Sequence, residues 1–316
     1  MPDLRASGRT LLIVSGLATA GIALVRRGTR AGRPGSPYFA GSPLLMAHRG
    51  GSALAPENTL VAFQRAVDWW HADVLELDVQ PTRDGEAVVF HDATLDRTTD
   101  AAGPIADRSY QELVQVDAGY RFSPDGGRSF PFRGGGVSIP SLAEVLAACP
   151  DVRVNIEIKN GKAQERVWET IREAGAVDRV LIAAGVTKNR RRLSGYPVPV
   201  SAGKEDLRTF IGQLRMGKVL ITPDVDAFQI PLEWEGRQVL SRELIAEAHR
   251  LNIAVHVWTV DDLSEMNRLL DWNVDGIITD RPDRLARLLH VRNGRPLPPG
   301  PPNPVPQAFL EDVLRE

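Results

Sequence analysis

The side chains best suited to chemistry lie between His48 and Asp92. The chain reads A-H-R-G-G-S at 47–52, P-E-N-T at 56–59, E-L-D at 76–78, T-R-D-G at 82–85 and H-D at 91–92. Glu76 and Asp78 are two positions apart, so on a strand they share a face. Asp84-Gly85 is a two-residue hairpin signal. With those two residues as the turn, Arg83 faces Glu86 and Asp78 sits opposite His91. Opposed residues of a hairpin point the same way. The spacing thus predicts one surface holding Glu76, Asp78 and His91, a metal site with an acid–base partner.

Elements must exist to position these groups. Leu44 to His48 reads as a strand, and 58–70 reads as a helix with Leu60, Phe63, Val67 and Trp70 on one face. Apolar runs at 74–79, 152–158, 179–183, 198–202, 218–222, 253–258 and 276–279 complete a set of eight strands, most of them separated by helical stretches. Eight βα units over about 250 residues predict an α/β protein of the (β/α)8 TIM-barrel class. A β-hairpin extension follows the second strand, and a Gly- and aromatic-rich insertion at 100–140 lies over the active end. A doubly wound open sheet is the alternative.

In a barrel, functional groups sit at the C-terminal ends of strands. That rule selects His48, Arg49, Glu76, Asp78, Glu157, Lys159 and Trp258. Three carboxylates without cysteine suit a hard divalent cation, Mg2+ or Ca2+. Arg49 and Lys159 add positive charge for an oxyanion, and Gly50 and Gly51 allow backbone to approach a ligand closely. The set suits a phosphate ester, with His48 and His91 as acid and base. Asp92 reads as orienting the hairpin or backbone, and Glu57-Asn58 as a helix start, with a supporting role behind the site as the alternative. The remaining histidines, 71, 249, 256 and 290, read as structural or exposed.

These residues also carry a resemblance. The chain resembles the glycerophosphodiester phosphodiesterase family, within the phospholipase-C-like barrel phosphodiesterases. The matching pieces run in order over about residues 44–290: H-R-G at 48–50, P-E-N-T at 56–59, E-L-D-V at 76–79, T-R-D-G at 82–85, H-D at 91–92 and L-D-R-T-T at 95–99. Further on come I-P-S-L at 139–142, N-I-E-I-K at 155–159, V-W-T-V-D at 257–261 and V-D-G-I-I-T-D at 274–280. The resemblance implies that Glu76, Asp78 and Glu157 are metal ligands and that His48 and His91 are the catalytic pair. It places Arg49 and Lys159 at the phosphate and Trp258 beside the alcohol or the glycerol. It implies hydrolysis of glycerophosphodiesters to sn-glycerol 3-phosphate and an alcohol. A lysophospholipase D acting on lysophospholipids, and an inactive membrane-tethered binding protein, are the competing readings.

Composition bounds the rest. The chain has 316 residues, 43% hydrophobic, and a formal net charge of −2. The length allows a sizeable core, and the charge gives no basic excess to attract nucleic acid. The single cysteine, Cys149, excludes an internal disulfide and follows an apolar run that buries it. Residues 1–27 form an N-terminal apolar segment, uncharged from Thr10 to Val25 and flanked by arginines. It is short for a membrane span and is expected to be an apolar helix anchoring the chain to a membrane, with a cleaved signal peptide and secretion as the alternative. Arginines after the segment lean the catalytic domain toward the cytoplasmic side. A linker follows at 28–42, then the barrel at 43–291. Residues 292–316 are a proline-rich tail, read as an extended linker.

Overall fold

The computed structural model describes residues 36–190, 197–234 and 236–302. The anchor segment expected at 1–27 lies outside them. Among the described residues no helix is long and apolar enough to cross a membrane.

The strands are β1 (Leu44–His48), β2 (Val74–Pro81), β3 (Ala87–Val89), β4 (Arg153–Ile158), β5 (Val180–Ala183), β6 (Ala227–Pro231), β7 (Glu233–Trp234), β8 (Arg237–Gln238), β9 (Ala254–Trp258) and β10 (Gly276–Thr279). A parallel sheet runs in the order β5-β4-β2-β1-β10-β9-β6. Isolated parallel bridges Ile182↔Val200 and Ser201↔Ala227 bring residues 198–202 between β5 and β6. That segment closes the ring, so the expected TIM barrel is the observed architecture. Helices wrap its outside. The first, Leu60–Trp70, begins where Thr59 Oγ1 accepts from the Ala62 amide and ends at His71 in the left-handed region, the usual way to satisfy orphan end groups.

Two strand expectations are corrected. Residues 218–222 form no strand. The Gln213 side chain accepts from the Leu220 and Ile221 amides and donates to the Ile221 carbonyl. That use of the local backbone groups replaces a ladder, and Leu220 and Ile221 are exposed. The strand at this barrel position is β6, Ala227–Pro231, whose Gln229 and terminal Pro231 disguise it. The hairpin register is also shifted by one. Val79 pairs with Val89 and Gln80 with Val88, and the Thr82 amide donates to the Glu86 carbonyl. The turn therefore has three residues, Arg83-Asp84-Gly85, with Gly85 at φ 85, a recognised hairpin loop with a left-handed glycine. Asp78 faces Phe90, not His91, and the Phe90 amide donates to the Asp78 carbonyl.

The insertion builds a small core of its own with the hairpin, from Val88, Phe90, Leu95, Ile105, Leu113, Ala118 and Ile139. It is tied to the hairpin turn through Asp84, which accepts from the Tyr110 amide. Its aromatic rings pack within it and against the barrel: Phe122 packs edge-on against Phe132, Arg133 lies over Tyr120 and Phe130, and Arg65 of the first helix lies over Phe132.

The described parts of both supposed linkers, 36–42 and 292–302, pack on the barrel. Tyr38 is fully buried at the N-terminal end of the barrel among Leu44, Met46, Val74, Leu181, Ala227 and Ile278. Arg153 holds this segment by donating to the Tyr38 and Ala40 carbonyls. The start of the tail is equally fixed. Arg295 pairs with Asp73 at 2.6 Å and donates to the Gly41 carbonyl. The Gly300 amide donates to the Trp69 carbonyl. These charges and carbonyls give the proline-rich stretch a docking track that composition alone conceals.

Candidate active site

The site starts at the turn after β1. Arg49, Gly50 and Gly51 all have positive φ. A Cβ on Gly50 would lie 2.7 Å from the Ala62 Cβ, and one on Gly51 would lie 2.8 Å from Pro282 Cγ. The two glycines thus let the turn wedge between two helix N-termini. The result aims the Arg49 amide at Glu76 Oε2, 3.0 Å away.

β2 carries Glu76 and Asp78 on its inward face, and β4 pairs in register so that Asp78 stands beside Glu157. One carboxylate oxygen from each of Glu76, Asp78 and Glu157 lies within 4.8 Å of the others. Oxygen ligands at 2.0–2.6 Å from one ion span about that separation, so the three fit a single hard cation. Their electrostatics agree. Burial, then the neighbouring Asp78 charge, push Glu76 up to about 7. Asp78 is buried too, yet Lys159 and Arg49 outweigh that and hold it below the usual carboxylate range. Lys159 Nζ lies 2.9 Å from both Asp78 Oδ1 and Glu157 Oε2, and Arg49 Nε lies 3.2 Å from Asp78 Oδ2. Asn58, at φ 58, donates to Asp78 Oδ2 at 2.9 Å and accepts from the Asp78 amide.

Each of the two expected catalytic histidines has a carboxylate partner. His48 Nδ1 is 2.6 Å from Asp280 Oδ1, and its Nε2 is 3.9 Å from Glu76. Burial opposes the His48 cation, but Asp280 and Glu76 outweigh it and raise its pKa. His91 Nδ1 is 2.5 Å from Asp92 Oδ1. Although the register removes His91 from the position opposite Asp78, the chain turns out of β3 at once and keeps the ring close enough for its charge to lower the Asp78 pKa.

The His91 partner belongs to a chain of charges. Asp92 accepts from Arg97 Nε at 2.6 Å, Arg97 donates twice to Glu57 at 2.7 Å, and Glu57 accepts from Arg49 at 2.9 Å. The two arginines hold Glu57 below the usual range despite its burial. Asp280 and Arg97 carry roles that the sequence reading did not assign, while Asn58, read first as a helix start, supports Asp78 from behind. Asp280 follows β10 directly, so the strand-end rule was a usable signal for it. Trp258, the last expected site residue, ends β9 and is 42% exposed at the barrel mouth. The other histidines are elsewhere: His249 pairs with Asp275, His290 with the Arg295 carbonyl, and His256 lies inside the barrel.

Comparison with known proteins agrees with this geometry. The model of the glycerophosphoryl diester phosphodiesterase family matches residues 48–191 and 214–284. A glycerophosphodiester phosphodiesterase from Caldanaerobacter subterraneus subsp. tengcongensis is 34% identical over 264 residues, covering 79% of this chain and 98% of the relative. Among solved structures, a glycerophosphoryl diester phosphodiesterase domain from Mycobacterium tuberculosis superposes with a TM-score of 0.71 at 21% identity, covering 79% of this chain and 100% of that one. An Oleispira antarctica phosphodiesterase in complex with the product sn-glycerol 3-phosphate gives 0.62 at 22% identity, covering 78% and 97%.

Proposed function

Because the chain belongs to the glycerophosphoryl diester phosphodiesterase family, and is thus a phosphoric diester hydrolase, we propose that it hydrolyses glycerophosphodiesters to sn-glycerol 3-phosphate and an alcohol in a metal-dependent, histidine-assisted reaction. The observation that carries this reading is the convergence of Glu76, Asp78 and Glu157 within 4.8 Å. The product named for the Oleispira antarctica fold relative is the phosphate half assigned here.

Glu76, Asp78 and Glu157 would hold Mg2+ or Ca2+, since all-oxygen donors favour hard cations. A bound divalent ion supplies Lewis-acid charge to the phosphoryl oxygens. The protein's own groups do the rest. Three carboxylates against Arg49 and Lys159 leave one net negative charge, and a divalent ion turns that into one net positive charge. That balance matches a phosphodiester monoanion. Arg49 and Lys159 bind the phosphate. His48 presents Nε2 to the site while Asp280 fixes its orientation, and His91 is fixed likewise by Asp92. These two imidazoles take and give the proton. Trp258 lines the barrel mouth in the same cavity wall as Glu157.

The test is hydrolysis of glycerophosphocholine and glycerophosphoethanolamine with added Mg2+ or Ca2+, with and without chelator. Activity is expected to vanish with chelator and return with the metal. Glu76→Gln and His48→Ala are each expected to lower turnover by about 10²–10⁴. Undiminished rates in chelator would overturn the metal assignment.

A further inference from the structure

The exposed apolar side chains are not spread evenly over the barrel. Among the described residues the large ones are Val186, Met216, Leu220, Ile221, Trp258, Val291 and Leu297. Val186 follows β5 and Trp258 ends β9, so both sit at the mouth. The others lie at the opposite end, where the strands begin. The helix Lys204–Arg215 starts in the wall beside the mouth. Its 12 residues carry the chain about 18 Å down the barrel, so Met216, Leu220 and Ile221 come out at its foot, ahead of β6. Val291 is in the last turn of the final helix, Pro282–Asn293. Leu297 follows Arg295, which is fixed to Asp73 at the base of β2.

The loop at 216–222 displays its apolar side chains. Buried Gln213 satisfies the backbone of Leu220 and Ile221, yet those side chains are 63% and 51% exposed, and Met216 is 78% exposed. Arg215 and Lys218 are exposed among them, and no carboxylate of the described residues pairs with either. The aspartates at this end are engaged elsewhere. Asp226 accepts from the Val200 amide, Asp275 accepts from the Val255 amide, and Asp73 holds Arg295. Asp68 and Asp151 gather around His71 across the ring, beside β2 and β4. Exposed apolar side chains flanked by free cations suit a lipid–water interface.

The path of the chain names the occupant. The described residues begin at Ser36, which lies with Phe39, Asp226 and Ile253 at this same end. Ahead of it, Arg26, Arg27, Arg30 and Arg33 follow the uncharged run from Thr10 to Val25. Clustered arginines beside an apolar segment are drawn to anionic lipid headgroups. The 11 steps from Val25 to Ser36 reach at most about 40 Å, so an apolar segment held in a bilayer keeps this end of the barrel close to it. We propose that the N-terminal end of the barrel docks on an anionic lipid surface. Met216, Leu220 and Ile221 enter the headgroup layer, Arg215 and Lys218 meet lipid phosphates, and the active-site mouth opens away from the bilayer. Val291 and Leu297, set apart from that loop on the same end, favour a broad flat partner over a peptide. The docking is independent of the reaction assigned above.

The experiment places a thiol-reactive fluorophore on the full chain, at the docking end in Leu220→Cys and at the mouth in Val186→Cys. The wild-type chain, whose Cys149 is buried, is the blank. Both positions are exposed, so neither change disturbs the core. The labelled chains are mixed with vesicles of phosphatidylglycerol and brominated phosphatidylcholine. The lipid bromines are expected to quench the label at 220 and leave the label at 186 unchanged. Arg215→Gln and Lys218→Gln should each weaken docking about fivefold, so quenching at 220 falls in the double variant. Vesicles of brominated phosphatidylcholine alone should lower it likewise. Absent quenching at 220, equal quenching at both positions, or a chain that does not bind the vesicles overturns the docking face. Unchanged quenching in the charge variant overturns the anionic surface. A label at 220 that is shielded from aqueous iodide before vesicles are added also overturns the proposal, since the chain's own apolar segment or a second copy then covers the face.

Discussion

His48 and Asp280 meet at the seam where the first and last strands of the barrel pair, 2.6 Å apart in space and 232 positions apart in sequence. Asp280 is itself held, because its amide donates to Asp261 Oδ1, which also accepts from Thr279 Oγ1. A carboxylate on Nδ1 selects the tautomer and leaves Nε2 to face the site. Asp280→Asn keeps the size of the side chain but offers an amide that can donate to Nδ1 and reverse the tautomer. The expected result is a fall in kcat of about 100-fold with KM little changed. Steady-state kinetics on a variant with unaltered circular dichroism checks it. A wild-type kcat would leave Asp280 only a structural role.

Arg97 joins both halves of the charged site, since it holds Asp92 behind His91 and Glu57 behind Arg49. Removing it frees Glu57 to compete with Asp78 for Arg49. Arg97→Ala is expected to lower kcat/KM by about 10–100-fold, the range for outer partners of a metal site. Arg97→Lys should restore only part of this, because an ammonium cannot reproduce the planar fork. Full activity in Arg97→Lys would show that charge alone suffices.

The barrel and most of the charged cluster were legible in the sequence for a physical reason. Parallel strands buried on both faces read as apolar runs, and carboxylates at their ends have no business there unless a ligand needs them. Glu76, Asp78 and Glu157 met that test and converge. What sequence hid depended on backbone detail. The hairpin turn took a third residue at Gly85, which moved His91 off the predicted face. Gln213 satisfied the backbone at 220–221, so an apolar run that looked like a strand became a loop. Asp280 lies 232 positions from His48, and Arg97, though only five positions from Asp92, takes its other partner, Glu57, from 40 positions away.

Gly50 offers a test of the turn that aims Arg49. Its φ of 84 and the 2.7 Å approach to the Ala62 Cβ both oppose a side chain. Gly50→Ala is expected to destabilise the fold by about 2–5 kcal/mol, the sum of left-handed strain and overpacking. Gly85 has a similar φ of 85 but open space around its Cβ position, so Gly85→Ala should cost only about 1–2 kcal/mol. Urea unfolding of the pair separates the two effects. Equal losses would mean that packing against Ala62 contributes nothing.

His256 ties stability to pH from inside the barrel. The ring is fully buried, and neither nitrogen has a hydrogen-bond partner among the described residues. Burial lowers its pKa to about 4, against a weaker opposing pull from Asp275 and with help from Arg153. In the unfolded chain the ring titrates near 6.5. Between those values the unfolded state binds the extra proton, so protonation favours unfolding as pH falls. The contribution is complete above about pH 6.5 and is lost progressively toward pH 4, reaching about 3 kcal/mol. Unfolding free energies measured across that window should show this slope, and His256→Gln, which cannot titrate, should remove it. A variant that kept the same slope would assign the pH dependence to other groups.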